Sequence, residues 1–235
     1  MILDIIDLVK RFKEVEVLNI PKLSITQGEL VGVLGNNGAG KTTLFRLCLD
    51  LLKANIGKVC IDNQNVSKAE LWKKYTSAFI DERFLIDFLT PEEYFYFLGD
   101  IYGISQQEVD SILVDFTAFM GNEILNKKKY IDKFSKGNKQ KIGIIGAMLI
   151  RPKLLILDEP FNFLDPSSQI SMKRLLQEYN QKYGTTVLLS SHNIQYVMDI
   201  CSRIIVLESG QIVREDVNID DTAKLELENY FENKI

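Results

Sequence analysis

Leu30-Val31-Gly32-Val33-Leu34-Gly35-Asn36-Asn37-Gly38-Ala39-Gly40-Lys41-Thr42 is the stretch on which the fold turns. Its first five residues are an unbroken apolar run, the pattern of a parallel strand buried on both faces. The next eight fit Gly-x-x-x-x-Gly-Lys-Ser/Thr, and from Thr42 to Leu52 leucines recur at helical spacing. In that strand–loop–helix setting the glycines let the backbone curl, so that successive N–H groups point inward at phosphate oxygens. The helix that follows adds the positive end of its dipole. Lys41 is placed to reach β- and γ-phosphates and the Thr42 hydroxyl to ligate Mg²⁺. A plain glycine-rich turn with a surface lysine has no need of the strand before it or the helix after it.

Outward from this loop the chain alternates. Leu3–Leu8 and Val15–Ile20 read as short strands around a turn-like Lys10-Arg11-Phe12-Lys13 segment. Lys58–Ile61 and Ser77–Ile80 are further strands. From about Pro91 to Ile150 the pattern becomes helix after helix, opening on the aromatic run Tyr94-Phe95-Tyr96-Phe97. Then come strand Leu154–Leu157, helix Pro166–Lys182, strand Thr186–Ser190, helix Ile194–Ile200, strands Arg203–Leu207 and Gln211–Arg214, and an amphipathic helix over Thr222–Asn233. Alternating strands and helices predict an α/β fold, a phosphate-loop NTPase with a mostly parallel sheet, N-terminal antiparallel strands and an inserted helical subdomain.

Leu154-Leu155-Ile156-Leu157-Asp158-Glu159-Pro160 is a second buried run, ending in two acids. Carboxyl ends of parallel strands line the ligand crevice, so both acids arrive beside the phosphate loop. Asp158 suits a Mg²⁺ that bridges the phosphates, and Glu159 is left to polarise a water for in-line attack. Either acid alone would read as an acidic turn after a core strand.

Composition narrows the setting. The 235 residues suffice for a full core, and 46% hydrophobic against 26% charged residues is the balance of a globular protein. A net charge of −4 gives no ground for a nucleic-acid partner. The basic cluster Lys127–Lys129, Lys133, Lys136, Lys139 and Lys141 reads as a solvated face or a local anion contact rather than a DNA-binding stripe. Cys48, Cys60 and Cys201 are far apart with no Cys-x-x-Cys pair, which argues against zinc and disulfides and fits a reducing cytoplasm. Acidic residues interrupt the N-terminal apolar run, as a signal peptide would not allow, and the longest apolar stretch, Ile142–Ile150, is too short to span a bilayer.

With these motifs the chain resembles an ATP-binding-cassette ATPase over nearly its whole length. That family carries a Leu-Ser-Gly-Gly-Gln-like signature at the end of a helical subdomain, and Phe134-Ser135-Lys136-Gly137-Asn138-Lys139-Gln140 stands at that place. Ser135 and Gly137 match; Phe134, Lys136 and Asn138 depart, though a basic third residue is familiar among exporter-type cassettes. The resemblance implies that ATP is held by Gly35 through Thr43 (Gly35, Asn36, Asn37, Gly38, Ala39, Gly40, Lys41, Thr42 and Thr43) and that Ser135 and Gly137 bind the γ-phosphate of ATP on a partner protomer. It implies that Asn162-Phe163-Leu164-Asp165 is the D-loop, that His192 is the switch histidine orienting Glu159's water, and that Phe12 stacks on adenine. Lys41, Glu159 and His192 are then the catalytic set and Thr42 and Asp158 the metal ligands. Where the family has its Q-loop glutamine this chain reads Phe79-Ile80-Asp81-Glu82-Arg83, which leaves Asp81 or Glu82 to offer an oxygen to Mg²⁺ or to the water.

The resemblance further implies a single ATPase domain over residues 1–235, with the helical subdomain at about 83–150, working as a homodimer that sandwiches ATP. No coiled-coil insertion, zinc module or second cassette points to DNA or ribosome work. The expectation is a cytoplasmic subunit, peripheral on the inner face of the cell membrane and docked on separate transmembrane permease subunits, with Asp87–Glu93 and Lys136 resembling exporter cassettes. A soluble regulatory cassette is the second reading. A phosphate-loop kinase or GTPase is the third, and it lacks a guanine-reading Asn-Lys-x-Asp.

Overall fold

The structure is a computed structural model that describes residues 1–217, 219 and 221–232. Two sheets form among these residues. Strands β1 (Leu3–Phe12) and β2 (Val15–Ile25) make an antiparallel hairpin, and β4 (Ile56–Ile61) and β5 (Gln64–Asn65) extend it in the order β2-β1-β4-β5. The larger sheet runs β10-β9-β3-β8-β7-β6, from β3 (Leu30–Leu34), β6 (Thr76–Phe79), β7 (Leu154–Leu157), β8 (Thr186–Ser191), β9 (Arg203–Glu208) and β10 (Gln211–Val217). Its strands are parallel except at β10, which returns antiparallel on β9.

The first hairpin is longer than its sequence suggests. Lys10–Phe12, expected in a turn, continue the strand, and the turn falls at Lys13 and Glu14. A register shift between Lys10 and Arg11 absorbs the irregularity, and Arg11 pairs across to Glu16 at 2.9 Å, so pairing persists where the apolar alternation has stopped. Strand β2 likewise runs on to Ile25, five residues past the expected Ile20, and the remaining strand ends move by three residues at most.

Helix α1 (Lys41–Cys48) stops short of the expected Leu52 because Leu49 leaves helical geometry and Asp50 is left-handed at φ 54°. The helical block is α2 (Pro91–Tyr102), α3 (Gln106–Leu113), α4 (Thr117–Met120) and α5 (Lys136–Met148). Thr90 and Ser105 start α2 and α3 with capping boxes, answered by Glu93 and Glu108. The chain enters and leaves α2 to α4 through a narrow neck, where the Ile131 amide donates to the Leu89 carbonyl (2.8 Å) and the Asp132 amide to that of Asp87 (2.9 Å). Helices α6 (Pro166–Tyr183), α7 (Ile194–Met198) and α8 (Asp221–Glu232) complete the chain; Asn233, expected to end the last helix, lies outside the described residues.

Both faces of the large sheet are covered. Val31, Val33, Leu154, Ile156, Leu188, Ile205 and Leu207 pack with Leu44 and Phe45 of α1 and the inner face of the small sheet. The alternate residues Leu30, Leu155, Leu157, Val187, Leu189, Ile204 and Val206 pack under α5, α6 and α7. This double burial is why these strands read as continuous apolar runs. Tyr94 and Phe95 serve the same core, while Phe97 stays exposed. Lys141, expected on a solvated face or at a local anion contact, is 5% exposed with its ammonium 3.7 Å from Glu123. Its own aliphatic stem is buried while the charge finds that carboxylate. All three cysteines are free and buried, and burial pushes the Cys48 thiol up to about 12. No helix among the described residues is long and apolar enough to cross a membrane.

Candidate active site

The glycine-rich loop between β3 and α1 is shaped by backbone that other residues avoid: Gly38 sits at φ 85° and Gly40 at φ 107°. Gly40 is also the N-cap of α1 and supplies no side-chain acceptor, so no side chain caps the helix's first amides. Lys41 is 6% exposed. Its ammonium donates to the carbonyls of Gly35 (2.6 Å) and Asn36 (3.2 Å), and it lies 3.2 Å from Glu159 Oε1. The lysine is thus held against its own loop with a carboxylate in reach, and Glu159 Oε1 meets its charge without an aligned hydrogen bond.

Strands β3, β8 and β7 are consecutive in the sheet, so the segments after their carboxyl ends converge. Asp158 Oδ2 accepts from the Thr42 hydroxyl (2.5 Å) and Oδ1 from the Ser190 hydroxyl (2.5 Å). Burial raises the Asp158 carboxyl above its ordinary value, with the Ser190 and Thr42 hydroxyls pulling the other way. Glu159 follows at φ 48°, a left-handed position that costs a non-glycine residue of order 1 kcal/mol or more. Its amide donates to Ser190 Oγ (2.8 Å), which helps to fix that turn. Its carboxylate then points between two bases: Oε1 faces Lys41 and Oε2 lies 2.9 Å from His192 Nδ1 and accepts from the His192 amide at 3.4 Å. Lys41, Thr42, Asp158, Glu159 and His192 are therefore one contiguous group.

Other expected residues stand apart from it. The cavity beside the loop, about 270 Å³, is lined by Val17, Asn37 through Thr43 and Glu159, and neither Ser135 nor Gly137 reaches it. Ser135 caps α5, accepting from the Asn138 amide at 3.3 Å. Gly137 lies so close to the Phe163 carbonyl that an added Cβ would stand 2.6 Å from its oxygen. Asp81 turns its carboxylate to Arg83, with contacts of 2.5–3.0 Å, and accepts the Arg83 amide as well. These bonds hold its carboxyl below the usual range. Phe12 is half-exposed at the hairpin tip with the Lys10 ammonium 5.0 Å from its ring centroid. Asp165 caps α6, accepting from Ser168 N and from the Ser167 and Ser168 hydroxyls.

Two residues of the site escaped the sequence reading. Ser190 bridges Asp158 and Glu159, and its signal was a hydroxyl at the carboxyl end of a buried strand, where the site residues gather. Gln140 donates to the Glu159 carbonyl at 3.2 Å, tying α5 to the catalytic turn from 19 positions away, and nothing local announces it.

The donors present fit a nucleoside triphosphate with Mg²⁺. An uncapped helix start, backbone held at positive φ and a buried ammonium form an anion cradle. Thr42 and Asp158 bring a hydroxyl and a carboxylate oxygen together, and among the described residues no larger group of His, Cys, Asp or Glu gathers. That sparse oxygen set suits Mg²⁺, which keeps waters and substrate phosphates as its other ligands.

Comparison with known proteins agrees with this geometry. A family model described as ABC transporter matches residues 18–162. The chain is 31% identical over 204 residues to the ABC transporter ATP-binding protein NatA of Bacillus subtilis (strain 168), covering 86% of this chain and 82% of that protein. It is 31% identical over 214 residues to the methionine import ATP-binding protein MetN of Carboxydothermus hydrogenoformans, covering 88% of this chain and 63% of that longer protein. Among solved structures, the dimeric structure of the bacterial ABC transporter cassette MJ0796 shares the fold, with a TM-score of 0.82 at 23% identity over 93% of this chain and 99% of that one.

Proposed function

Because this chain belongs to the ABC transporter family and is one of its ATP-binding, ATP-hydrolysing subunits, we propose that residues 1–235 act as a single ATPase domain, with the helical segment at about 83–150 as its subdomain, powering export through separate membrane subunits. The observation that carries the chemistry is Glu159 held between Lys41 and His192 at the mouth of the phosphate loop.

In this reading Gly35 through Thr43 wrap the triphosphate, and the Lys41 ammonium exchanges its loop carbonyls for β- and γ-phosphate oxygens. Thr42 and Asp158 would hold Mg²⁺, which would supply positive charge to offset that of the phosphates. Asp81 adds an oxygen only by giving up Arg83. Glu159 takes the proton of the attacking water, and His192, hydrogen-bonded to the same carboxylate, keeps it aimed at the γ-phosphorus. Phe12 stacks on the adenine from the hairpin whose Val17 lines the cavity.

Ser135 and Gly137 lie outside the cavity of their own chain, which supports a homodimer in which they meet the partner's ATP. An apolar groove of about 250 Å³, lined among others by Leu51, Phe84, Leu85, Leu98 and Tyr102, between the end of α1 and the helical block, supports docking on a membrane partner. Export rests on Asp87–Glu93 and Lys136. Dependence on ATP supports a position on the cytoplasmic face of the membrane, where ATP is.

Calorimetry of Mg·ATP binding tests the loop. Lys41→Ala should abolish measurable binding, and retained wild-type affinity would refute the assignment. Vesicles reconstituted with the membrane protein that co-purifies test direction: ATP supplied on the cassette side should drive solute away from that side, and movement towards it would overturn export.

A further inference from the structure

No described residue of helix α8 lines either cavity beside the phosphate loop, yet its hydrogen bonds run to both walls of the site. Leu227 is fully buried in the main core and fixes the helix on the molecule. Around it three polar side chains at successive even positions reach three different elements. Glu226 accepts from Arg214 of β10 (2.8 Å), Glu228 accepts from Gln195 of α7 (2.7 Å), and the Tyr230 hydroxyl donates to Glu208 at the end of β9 (2.8 Å).

Two of these lead directly to the chemistry. Gln195 stands three residues after His192, in a helix of only five residues. So short a helix has no stability of its own, and its position is set by what packs on it. Its start is a local turn, in which Asn193 caps Gln195 N and the Asn193 amide donates to Ser191 Oγ, so a shift of α7 is passed to His192 through two residues of backbone. On the other wall Glu208 lines a cavity with Asn36–Ala39, and the Gly210 amide two residues later donates to the Ala39 carbonyl at 2.9 Å. One terminal helix therefore ties the histidine turn to the turn that supports the phosphate loop.

We infer that α8 is a brace that sets the distance between His192 and the phosphate loop, with Gln195 and Glu228 as positioning residues for His192 in ATP hydrolysis. This rests on the ATPase reading above. The brace acts on the transition state rather than on nucleotide capture, because no described residue of α8 lines the cavity formed by Val17, Asn37–Thr43 and Glu159.

The test compares Glu228→Ala, Gln195→Ala and Tyr230→Phe with wild type in the full chain. Glu228→Gln is the rescue, since its amide oxygen still accepts from Gln195. Each of the first three should lower kcat about fivefold, the rate equivalent of one net hydrogen bond, with KM for ATP unchanged. Glu228→Gln should recover most of it. Amide hydrogen exchange, read without nucleotide, should speed up over residues 191–198 for Glu228→Ala and Gln195→Ala and over 36–40 and 208–210 for Tyr230→Phe. Unchanged kcat, or faster exchange confined to 221–232, would overturn the brace and leave α8 a simple cover for the core. A wild-type chain without ATPase activity would instead refute the ATPase reading, and the exchange pattern would still decide whether α8 holds α7 in place.

Discussion

Glu159→Gln separates chemistry from binding at this site. The amide keeps the size of the carboxylate but loses its charge and its capacity to take a proton. Two consequences compete. Oε1 lies 3.2 Å from the Lys41 ammonium, an attraction of about 5 kcal/mol at an effective dielectric of 20. Were that pair needed to shape the loop, its loss would weaken ATP binding severely. Lys41 also donates to two loop carbonyls that the substitution leaves in place, and a triphosphate brings more negative charge than the carboxylate removed. Affinity should therefore hold or improve, by up to about tenfold, roughly 1.4 kcal/mol. Hydrolysis should fall about 10²–10⁴-fold, the worth of a positioned general base. Single-turnover phosphate release and calorimetry with Mg·ATP read the two separately. Size exclusion adds a third readout, because the variant should persist as an ATP-dependent dimer. A rate loss under tenfold would move the base elsewhere, and a tenfold loss of affinity would make Glu159 an anchor for Lys41.

Ser135→Arg should leave ATP binding to the monomer intact and stop hydrolysis, seen by the same two assays; full activity would mean that the site is complete within one chain. Gly137→Ala should lower stability by about 1–2 kcal/mol in a urea titration despite alanine's helix preference, because its Cβ meets the Phe163 carbonyl oxygen at 2.6 Å; a more stable variant would show that contact to be soft. Asp165→Ala should cost about 1 kcal/mol as a lost N-cap of α6. The hydroxyls of Ser167 and Ser168, with the Ser168 amide, hold the Asp165 carboxyl well below the usual range. A depressed folded value means that this stabilisation is complete above the unfolded value of about 3.9 and fades as pH falls below it, so the gap between variant and wild type should narrow from pH 5 to pH 3; a constant gap would refute the charge's part in the cap.

The sequence discloses the large sheet well because β3, β7 and β8 are buried on both faces and leave uninterrupted apolar runs, while each loop after them carries its chemistry at fixed spacing. The first hairpin was cut short because Lys10 to Phe12 and Glu16 face solvent, and cross-strand pairing there leaves no apolar trace. The burial of Lys141 is hidden for the opposite reason: its charge masks a stem that belongs to the core. Within the site, residue types were legible and contacts were not. That Glu159 touches both Lys41 and His192, segments 118 and 33 positions away, follows from strand order, which no local pattern encodes. Asp81's commitment to Arg83 is local, two residues along, but an acid followed by an arginine does not by itself announce a pair.

The neck at Asp87–Leu89 and Ile131–Asp132 has a consequence for how such a protein diverges and how it is re-engineered. Because the backbone closes on itself there, the chain between residues 90 and 130 is stapled at its base, and its length is nearly invisible to the sheet. Doubling a flexible loop costs only about 0.6 kcal/mol in closure entropy. Helices α2 to α4 join the rest through that neck but still pack Tyr94, Phe95 and Phe116 into the sheet's core, whereas α5 is buried against β6 and β7 and bonded to Glu159 through Gln140. Transplants cut at the neck should leave the ATP site unaltered only if those core positions are matched; cuts placed inside α5 should disable it.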